Sequence, residues 1–508
     1  MINYSQNIKQ QIHTQTQQNI IEEDICFDRY GDLTLTQQQQ QNTNRNWIKV
    51  CHIDQSTVGN NILLRARIHN SRIQGKIAFL ILRENWYTIQ AVSIKGDSAS
   101  SQMLKFIGGI PLESIVDVEA VVAEPNFQIK YCTQKVELQI KTIRVISRSA
   151  SKLPIQIEDA SKKIVDFNQN LEYQYQNNQL SLNQRLNNRV LDLRTPAKQA
   201  IFRVSSGISL FFRQFLIEQG FIEIHTPKLQ GYTTQNDNIK NFKLKYFNQD
   251  AILSQSSYLY KQMSLMGDFD RVFEISPVFQ AIHGNTNREL CEYTCMDLEM
   301  VIKEHYTELL DLTEELALFI LKEIEKRFQQ ESKIISQQFQ FEPITISQPI
   351  IRLTFLEGLK LLQQSDIIKH PITYMTISEL KQLGKLIKEK FGTDFFIMHR
   401  FPREYEPIYV MPCKDNPEFS LSYVLFLRGE AIASGNQKIH HPELLSQQIQ
   451  KVGIDFEQKR GYINSFNYGA FPHGGCAFGL EKLLYLYFDL KNIRNSSLFP
   501  RDSSRLFP

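Results

Sequence analysis

Short runs of alternating apolar and polar residues dominate the chain between residues 46 and 150. In NILLRARIHN, residues 61–70, every second side chain is apolar, at Ile62, Leu64, Ala66 and Ile68. A period of two is typical of a strand with one buried and one exposed face. The segments KIAFLILR, IVDVEAVVAE and KVELQIKTI also favour strands. About five strands in about a hundred residues predict a small β-barrel such as an OB-fold over 46–150.

The period changes after residue 195. The segment TPAKQAIFRVSSGISLFFRQFLIEQG predicts a helix with Thr195 as N-cap, Pro196 in the first turn and Gly220 as its stop. Its apolar face consists of Ile201, Val204, Ile208, Phe211, Phe212 and Phe215. Beyond it, strands and helices mix without the regular rhythm of a parallel sheet. We therefore expect an α+β domain on an antiparallel sheet over 195–508.

Two segments have a polar composition that predicts little packed structure. Residues 1–45 are rich in Gln and Asn, which predicts a disordered tail. Residues 151–194 are also polar and read as a hinge. The 508-residue chain is therefore expected to be multidomain.

The charge distribution and the cysteines indicate which binding partners and which cellular compartment suit the chain. Residues 49–152 hold 14 Lys and Arg against 8 Asp and Glu, a net charge of +6, so the rest of this +3 chain sums to −3. A basic module on a larger body suits nucleic-acid binding, although many small domains are this basic for solubility alone. Seven scattered cysteines predict free thiols in a reducing cytosol. No apolar run approaches ~20 residues and no secretory signal is visible, so a cytoplasmic protein without membrane contact is expected.

Five segments, in order from about Trp47 to Pro508, resemble the class IIb aspartyl-tRNA synthetases of eukaryotic and archaeal cytosolic type. RARIHNSRIQGKIAFLILR resembles the OB-domain signature, and RVLDLRTPAKQAIFR resembles the entry to the catalytic domain. FIEIHTPKL, FEISPVFQAIHGNTNRELCEYTCMDLEM and FGLEKLLYLYFDLKNIRNSSLFPRD resemble class II motifs 1, 2 and 3. The MDLEM segment is more similar to the aspartyl branch than to the asparaginyl one.

The resemblance implies an anticodon site on the barrel. In that family a flipped base stacks on an aromatic ring while polar side chains read its edges. The matching ring is Phe79, and the matching edge readers are Arg72, Gln90 and Glu137. Taken singly, Phe79 could be a core residue and Glu137 a solvated carboxylate. The implied partner is a tRNA with an aspartate anticodon.

The resemblance also implies a synthetase active site that uses ATP and Mg²⁺, in a homodimer whose interface includes Pro227. Lys261 matches the lysine that meets the aspartate side chain, Asp297 an acidic position of the amino-acid and metal site, and Ser434 the site floor. Tyr293 matches the ring that packs on adenine. Arg288 matches the motif 2 loop arginine and Glu481 the motif 3 glutamate.

Several positions depart from the family pattern. Gln280 stands where an arginine clasps the α-phosphate, and Ile282 replaces a carboxylate near the adenine. Lys482 replaces the motif 3 arginine, and it lacks the forked guanidinium. Ala431 replaces a magnesium-binding glutamate, and Lys438 replaces an arginine that grips the substrate carboxylate. The mobile Ser-Glu-Gly-Gly loop of the family aligns near 233–236, where its glutamate and glycines are missing.

These patterns leave more than one function open. The first is an ATP-dependent aspartate–tRNA ligase that works through aspartyl-adenylate, with Gln280, Arg288 and Lys482 at its catalytic positions and compensation elsewhere for the lost groups. The second is a degenerate paralogue that binds tRNA or a partner protein without efficient aminoacylation. A third, a small-molecule amidating enzyme on the same core, is disfavoured by the barrel, which such enzymes usually lack.

Overall fold

The computed structural model describes residues 24–34, 45–96, 99–164, 180–231, 241–284, 286–365, 367, 374–451 and 456–507, and the side chains of 456–459 are not described. The chain divides into two compact units, Met1–Pro154 and Ile155–Pro508. The first contains a closed five-stranded barrel and the second a mostly antiparallel sheet with helices. The predicted fold class, an OB-like barrel followed by an α+β domain, is therefore confirmed.

The barrel forms from strands whose alternating residues close around one core. Its elements are β1 (Tyr30–Asp32), β2 (Asn61–Gln74), β3 (Ile77–Glu84), β4 (Tyr87–Ile94), α1 (Ser101–Gly108), β5 (Ile115–Ala123) and β6 (Glu137–Ser147), with 3₁₀ turns at Val50–His52 and Gln55–Thr57. Strand β2 pairs with β3 and β5, β3 pairs with β4, and β6 joins β4 to β5 and so closes the barrel. Leu64, Ala66 and Ile68 are buried, as their period-two spacing predicts.

The prediction of disorder over residues 1–45 is wrong for residues 24–34. Strand β1 pairs in parallel with β6, Tyr30 opposite Ile143, and Cys26 is fully buried in the barrel core. The Tyr30 hydroxyl donates to Asp24 at 2.6 Å. Cys26 and Tyr30 pack on the barrel, whereas Ile25 and Phe27 stay exposed, a distinction that composition alone does not reveal. Residues 1–23 and 35–44 of the predicted tail lie outside the described residues.

The second unit is organised by an eight-stranded sheet of order β13-β14-β15-β16-β17-β12-β11-β7 and a small sheet of order β8-β10-β9. Neighbours in the large sheet are antiparallel except for the edge pairs β13–β14 and β7–β11. The strands are β7 (Ile222–Glu223), β8 (Leu229–Gln230), β9 (Lys243–Tyr246), β10 (Gln249–Leu253), β11 (Arg271–Phe279), β12 (Glu292–Val301), β13 (Ile351–Thr354), β14 (Phe395–His399), β15 (Ser422–Leu427), β16 (Glu430–Gln437) and β17 (His473–Gly479).

Helices cover this sheet and fix its edges. They are α2 (Ile157–Ala160), α3 (Leu182–Asn187), α4 (Arg189–Asp192), α5 (Pro196–Glu218), α6 (Tyr258–Met266), α7 (Thr307–Arg327), α8 (Gln329–Gln338), α9 (Phe355–Gln364), α10 (Ile377–Phe391), α11 (Pro442–Lys451), α12 (Phe456–Asn467) and α13 (Leu480–Tyr487), with 3₁₀ turns at Arg403–Tyr405 and Ile493–Asn495.

Helix α5 follows the predicted apolar face closely. Phe212 packs edge-on against Phe273 and Phe478 of the sheet. By length and composition α5 could cross a membrane, but ten of its residues are buried within this unit, as in the core helix of a folded domain. Thr195 occupies the N-cap position, although its hydroxyl donates to the Asp192 carbonyl instead of capping the helix.

The predicted hinge over 151–194 is wrong for the residues just before α5. Helices α3 and α4 pack into the second unit, where the Asp192 carboxylate is fully buried. It accepts hydrogen bonds from Arg185 at 2.7 Å and Arg189 at 2.5 Å. Buried ion pairs let a polar segment fold inward, which its composition hides. Residues 165–179 lie outside the described part of the chain.

Candidate active site and nucleic-acid interface

A cleft in the second unit brings together most of the predicted catalytic positions. It lies where β11, β12, β16, β17 and α13 meet. The predicted residues that line it are Gln280, Arg288, Tyr293, Ala431, Ser434, Glu481 and Lys482. Ile282 lines it too, so neither position 280 nor position 282 brings a charge to the cleft. The Gln280 side-chain amide donates to the Tyr293 hydroxyl at 3.2 Å, which turns this amide towards the aromatic wall.

Positive charge in the cleft is gathered around one carboxylate that sequence reasoning missed. The Glu430 carboxylate lies 2.5 Å from the Lys482 ammonium and 2.9 Å from that of Lys381, with the Arg288 guanidinium at 4.0 Å. Burial would raise the pKa of Glu430, but Lys482 and Lys381 outweigh burial and hold that pKa below its ordinary value. Burial also lowers the pKa of Lys482, against the attraction of Glu430. The position of Glu430 beside Ala431 in RGEAIASG was the available signal.

The residues present do not fit a protein-held magnesium ion. Alanine at position 431 offers no ligand, and Glu430 is already engaged by three cations. Glu481 accepts a hydrogen bond from the Thr294 amide at 2.9 Å, and burial raises its pKa. Across the part of the chain that the structure describes, no group of three or more His, Cys, Asp or Glu side chains is placed to hold a metal.

Three of the residues predicted to bind the amino-acid substrate, Lys261, Asp297 and Lys438, form a separate buried cluster. The Lys261 ammonium contacts the Asp297 carboxylate and lies 3.3 Å from that of Glu299. The Ser257 hydroxyl donates to the other Asp297 oxygen at 3.1 Å. Burial would lower the pKa of Lys261, but the two carboxylates outweigh burial and raise it, so this ammonium is charged. The Asp297 carboxylate thus accepts from a serine and a lysine, and its role as a metal ligand stays a prediction.

Lys438 belongs to this buried cluster and faces aromatic rings. Its ammonium lies 4.5 Å from the centre of the Tyr409 ring and 5.9 Å from that of Tyr258, and the two rings pack at 4.5 Å. Burial lowers the pKa of Lys438, against the attraction of Glu299. Sequence reasoning did not single out Tyr258 or Tyr409. Lys261, Asp297 and Lys438 therefore lie together, but none of them lines the open cleft.

The four side chains predicted to read an anticodon lie on one face of the barrel. The Arg72 guanidinium lies over the Phe79 ring, 5.0 Å from its centre. The Gln90 amide donates to the Glu137 carboxylate at 2.5 Å, across the β4–β6 pair. Phe79 is half-buried, so its ring is not enclosed in the core. Arg72, Phe79 and Gln90 line one open cavity of the barrel, and Glu137 adjoins it through Gln90.

Pro227 lies on an exposed stretch between β7 and β8. Its neighbours are fixed, because the Thr226 amide and the Lys228 ammonium both bind the Glu274 carboxylate, at 2.9 Å and 2.8 Å. The loop at 233–236 lies outside the described residues. Pro227 is thus held at the surface on an anchored segment.

The barrel, the sheet and the cleft define the class of protein. Residues 181–503 match the family model described as tRNA synthetases class II (D, K and N). Synthetases of this class for aspartate use ATP and typically magnesium.

Similarity to known proteins over nearly the whole chain identifies the family within this class. The chain is 43% identical to cytoplasmic aspartate–tRNA ligase 1 of Dictyostelium discoideum, covering 94% of this chain and 88% of the relative. It is 40% identical to the cytoplasmic aspartate–tRNA ligase of Homo sapiens, covering 96% of each. The solved aspartyl-tRNA synthetase of Entamoeba histolytica superposes with a TM-score of 0.85 at 37% identity, covering 94% of this chain and 96% of that one. The chain belongs to the aspartyl-tRNA synthetase family, and none of these names favours the binding-only alternative.

Proposed function

We propose that the protein attaches aspartate to tRNA in two steps, with ATP as the activating substrate. The observation that carries this proposal is the cleft in which Arg288, Lys482, Tyr293 and Ser434 face one open space. In the first step an aspartate carboxylate oxygen attacks the α-phosphorus of ATP, and pyrophosphate leaves. In the second, a hydroxyl of the terminal ribose of the tRNA attacks the acyl carbon, and AMP leaves.

The cleft residues divide the work of the first step. Tyr293 provides a ring for adenine, and Arg288 and Lys482 provide positive charge for the phosphates. Because Lys482 is paired with Glu430, the incoming phosphates compete with that carboxylate for the ammonium. Fixed positive charge near the reacting phosphate is the main source of rate in such reactions.

Activation is proposed to be slow, because the side chain at position 280 is neutral. Loss of one preorganised donor to a developing charge typically lowers the rate by ~10²–10³-fold. Gln280 donates to Tyr293 and carries no charge to offset the α-phosphate. No step is assigned to magnesium, since Ala431 and the engaged Glu430 do not fit it.

The buried cluster is proposed to select aspartate. Lys261 and Lys438 carry ammonium groups suited to a substrate carboxylate, with Lys261 for the aspartate side chain, and Asp297 and Glu299 hold Lys261 charged. The substrate would draw on cations that are already fixed by the protein, which limits the cost of ordering them.

The barrel face is proposed to hold the aspartate anticodon, with Phe79 as the stacking ring and Arg72, Gln90 and Glu137 as readers. The active form is proposed to be a cytoplasmic homodimer with Pro227 at its interface. Apolar side chains exposed on α5 and β7, at Leu210, Ile217 and Ile222, support a covered surface there. Sedimentation velocity tests the dimer, and a monomer at micromolar concentration would contradict it.

Aspartate-dependent exchange of labelled pyrophosphate into ATP tests the activation step. We expect slow exchange with aspartate and none with asparagine, together with charging of tRNA by labelled aspartate. Exchange that is absent at high enzyme concentration, in a protein that still binds tRNA, would support the binding-only alternative instead.

A further inference from the structure

Two aromatic side chains beside the barrel face are almost completely exposed. Phe127 is 87% exposed and Tyr131 is 90% exposed. Both lie on the loop that joins β5 to β6, and both line the same open cavity as Arg72 and Phe79. Among the described residues, no ring contact joins either of them to another aromatic side chain. The cavity therefore presents three rings, of which the assigned anticodon site uses only Phe79.

The loop that carries these rings is pinned to the barrel. Thr88 and Thr133 exchange hydrogen bonds, with the Thr88 amide donating to the Thr133 hydroxyl at 2.8 Å and the Thr133 amide to the Thr88 hydroxyl at 3.0 Å. The Lys135 ammonium donates to the carbonyls of Cys132 at 2.8 Å and Ile129 at 3.2 Å. These contacts fix the path of the backbone next to Tyr131.

The loop buries some of its apolar side chains and leaves both rings exposed. Ile129 and Cys132 point inward and are 7% and 5% exposed. Phe127, Lys130 and Tyr131 take the outward positions. The loop thus buries Ile129 and Cys132 and leaves the two larger rings in water. Exposure of this apolar ring surface to water costs free energy. Such a cost is typical of a binding surface.

The charge beside the rings identifies the occupant. Lys130 lies between the rings in sequence and is exposed, as is Arg72 on the neighbouring strand. Rings interleaved with cations bind single-stranded nucleic acid, since bases stack on the rings while phosphates meet the cations. A partner protein would be expected to cover an apolar patch without needing this interleaving.

We infer that Phe127 and Tyr131 form a second stacking platform, which takes unpaired nucleobases of the RNA next to the base held on Phe79. This inference rests on the proposed binding of an anticodon at Phe79 and extends it to the neighbouring bases. With Phe79, the platform spreads several unpaired bases across one cavity.

Binding of a fluorescein-labelled RNA hairpin with the aspartate anticodon to the full-length protein, followed by anisotropy, tests the platform. We expect Phe127→Ala and Tyr131→Ala each to weaken binding between about 5-fold and about 100-fold. Tyr131→Phe keeps the ring and should bind as the parent does, whereas Tyr131→Leu keeps apolar bulk without a flat face and should not. Tyr468→Ala, which removes a ring that is 84% exposed in the second unit, is the matched control.

A second measurement separates stacking from an effect on loop structure. Hairpins with single abasic nucleotides in the loop lack the base that a ring would hold. Where the missing base is the one that a ring would hold, replacing that ring in Phe127→Ala or Tyr131→Ala should not weaken RNA binding further. If both alanine variants bind the intact hairpin as tightly as the parent while Phe79→Ala does not, the platform is refuted and the anticodon site stands. If Phe79→Ala also binds as the parent does, the proposed anticodon site fails. Altered self-association with unchanged RNA binding would assign the rings to a protein contact.

Discussion

The barrel face and the cleft of the second unit present their charges in opposite ways. On the barrel, Arg72 lies over Phe79 and Glu137 binds Gln90, so the guanidinium stays exposed beside an open cavity. In the cleft, Glu430 engages Lys482 and Lys381, and position 280 carries no charge. The proposed recognition surface thus keeps every residue type that the family pattern implies, while the proposed phosphate-binding surface has a neutral residue at position 280 and a lysine paired with Glu430. Binding and catalysis should therefore respond very differently to substitution.

The largest expected effect comes from restoring charge at position 280. Gln280→Arg should raise the rate of aspartate-dependent pyrophosphate exchange by ~10²–10³-fold, because a guanidinium can offset the α-phosphate charge. Gln280→Met, of similar size and without charge, is the control. An unchanged rate for the arginine variant would show that another group limits activation.

Phe79→Ala tests the barrel side of this comparison. Loss of the stacking ring should weaken tRNA binding between about 5-fold and about 100-fold, measured as the dissociation constant of labelled tRNA. Pyrophosphate exchange, which needs no tRNA, is measured on the same protein. A fall in exchange by the same factor would mean that the two units are coupled.

A smaller effect should follow from pH in the cleft. Burial lowers the pKa of Lys482 below its ordinary value of 10.5, and only the protonated ammonium attracts phosphate. ATP should therefore bind most tightly at pH values below this lowered pKa, where Lys482 is protonated. Its affinity should fall by about tenfold as the pH rises through this pKa. Lys482→Arg stays charged throughout and should remove this alkaline limb. An identical limb in the arginine variant would assign it to another group.

The smallest effect should come from Glu430→Gln, which releases Lys482 and Lys381 from their carboxylate. ATP should bind about three-fold more tightly, because its phosphates no longer compete with Glu430. The alkaline limb should also move to lower pH, since the attraction that opposes burial of Lys482 is gone. Calorimetry measures both, with Glu430→Asp as the charge-retaining control. Weaker binding would mean that Glu430 positions the cations for phosphate.

The sequence predicts most of the fold, because period-two strands and the face of α5 report burial directly. Ala66 and Phe212 lie where alternation and helical spacing place them. The misses share one cause: they depend on partners far away in the chain. Strand β1 is only three residues long and is defined by β6, and α4 is held by the ion pairs of Asp192.

The candidate site shows the same limit. The resemblance predicts which residues line the cleft, and Gln280, Tyr293 and Lys482 do so. The engagement of Glu430 could not be predicted, because Lys381 approaches it from α10, in a segment without a motif. Tyr258 and Tyr409 were missed for a similar reason, since only the folded chain brings their rings together over Lys438.

Strand β1 has a practical consequence for work with shortened versions of the chain. A protein that starts at Arg45, after the glutamine-rich stretch, would lack the strand that covers Ile143–Val145 of β6 and the Cys26 side chain that fills the core. The unpaired backbone groups of β6 could then form hydrogen bonds with other chains, and we expect such a shortened protein to aggregate. Trimming should stop before Asp24, whose carboxylate receives the Tyr30 hydroxyl and so secures this strand.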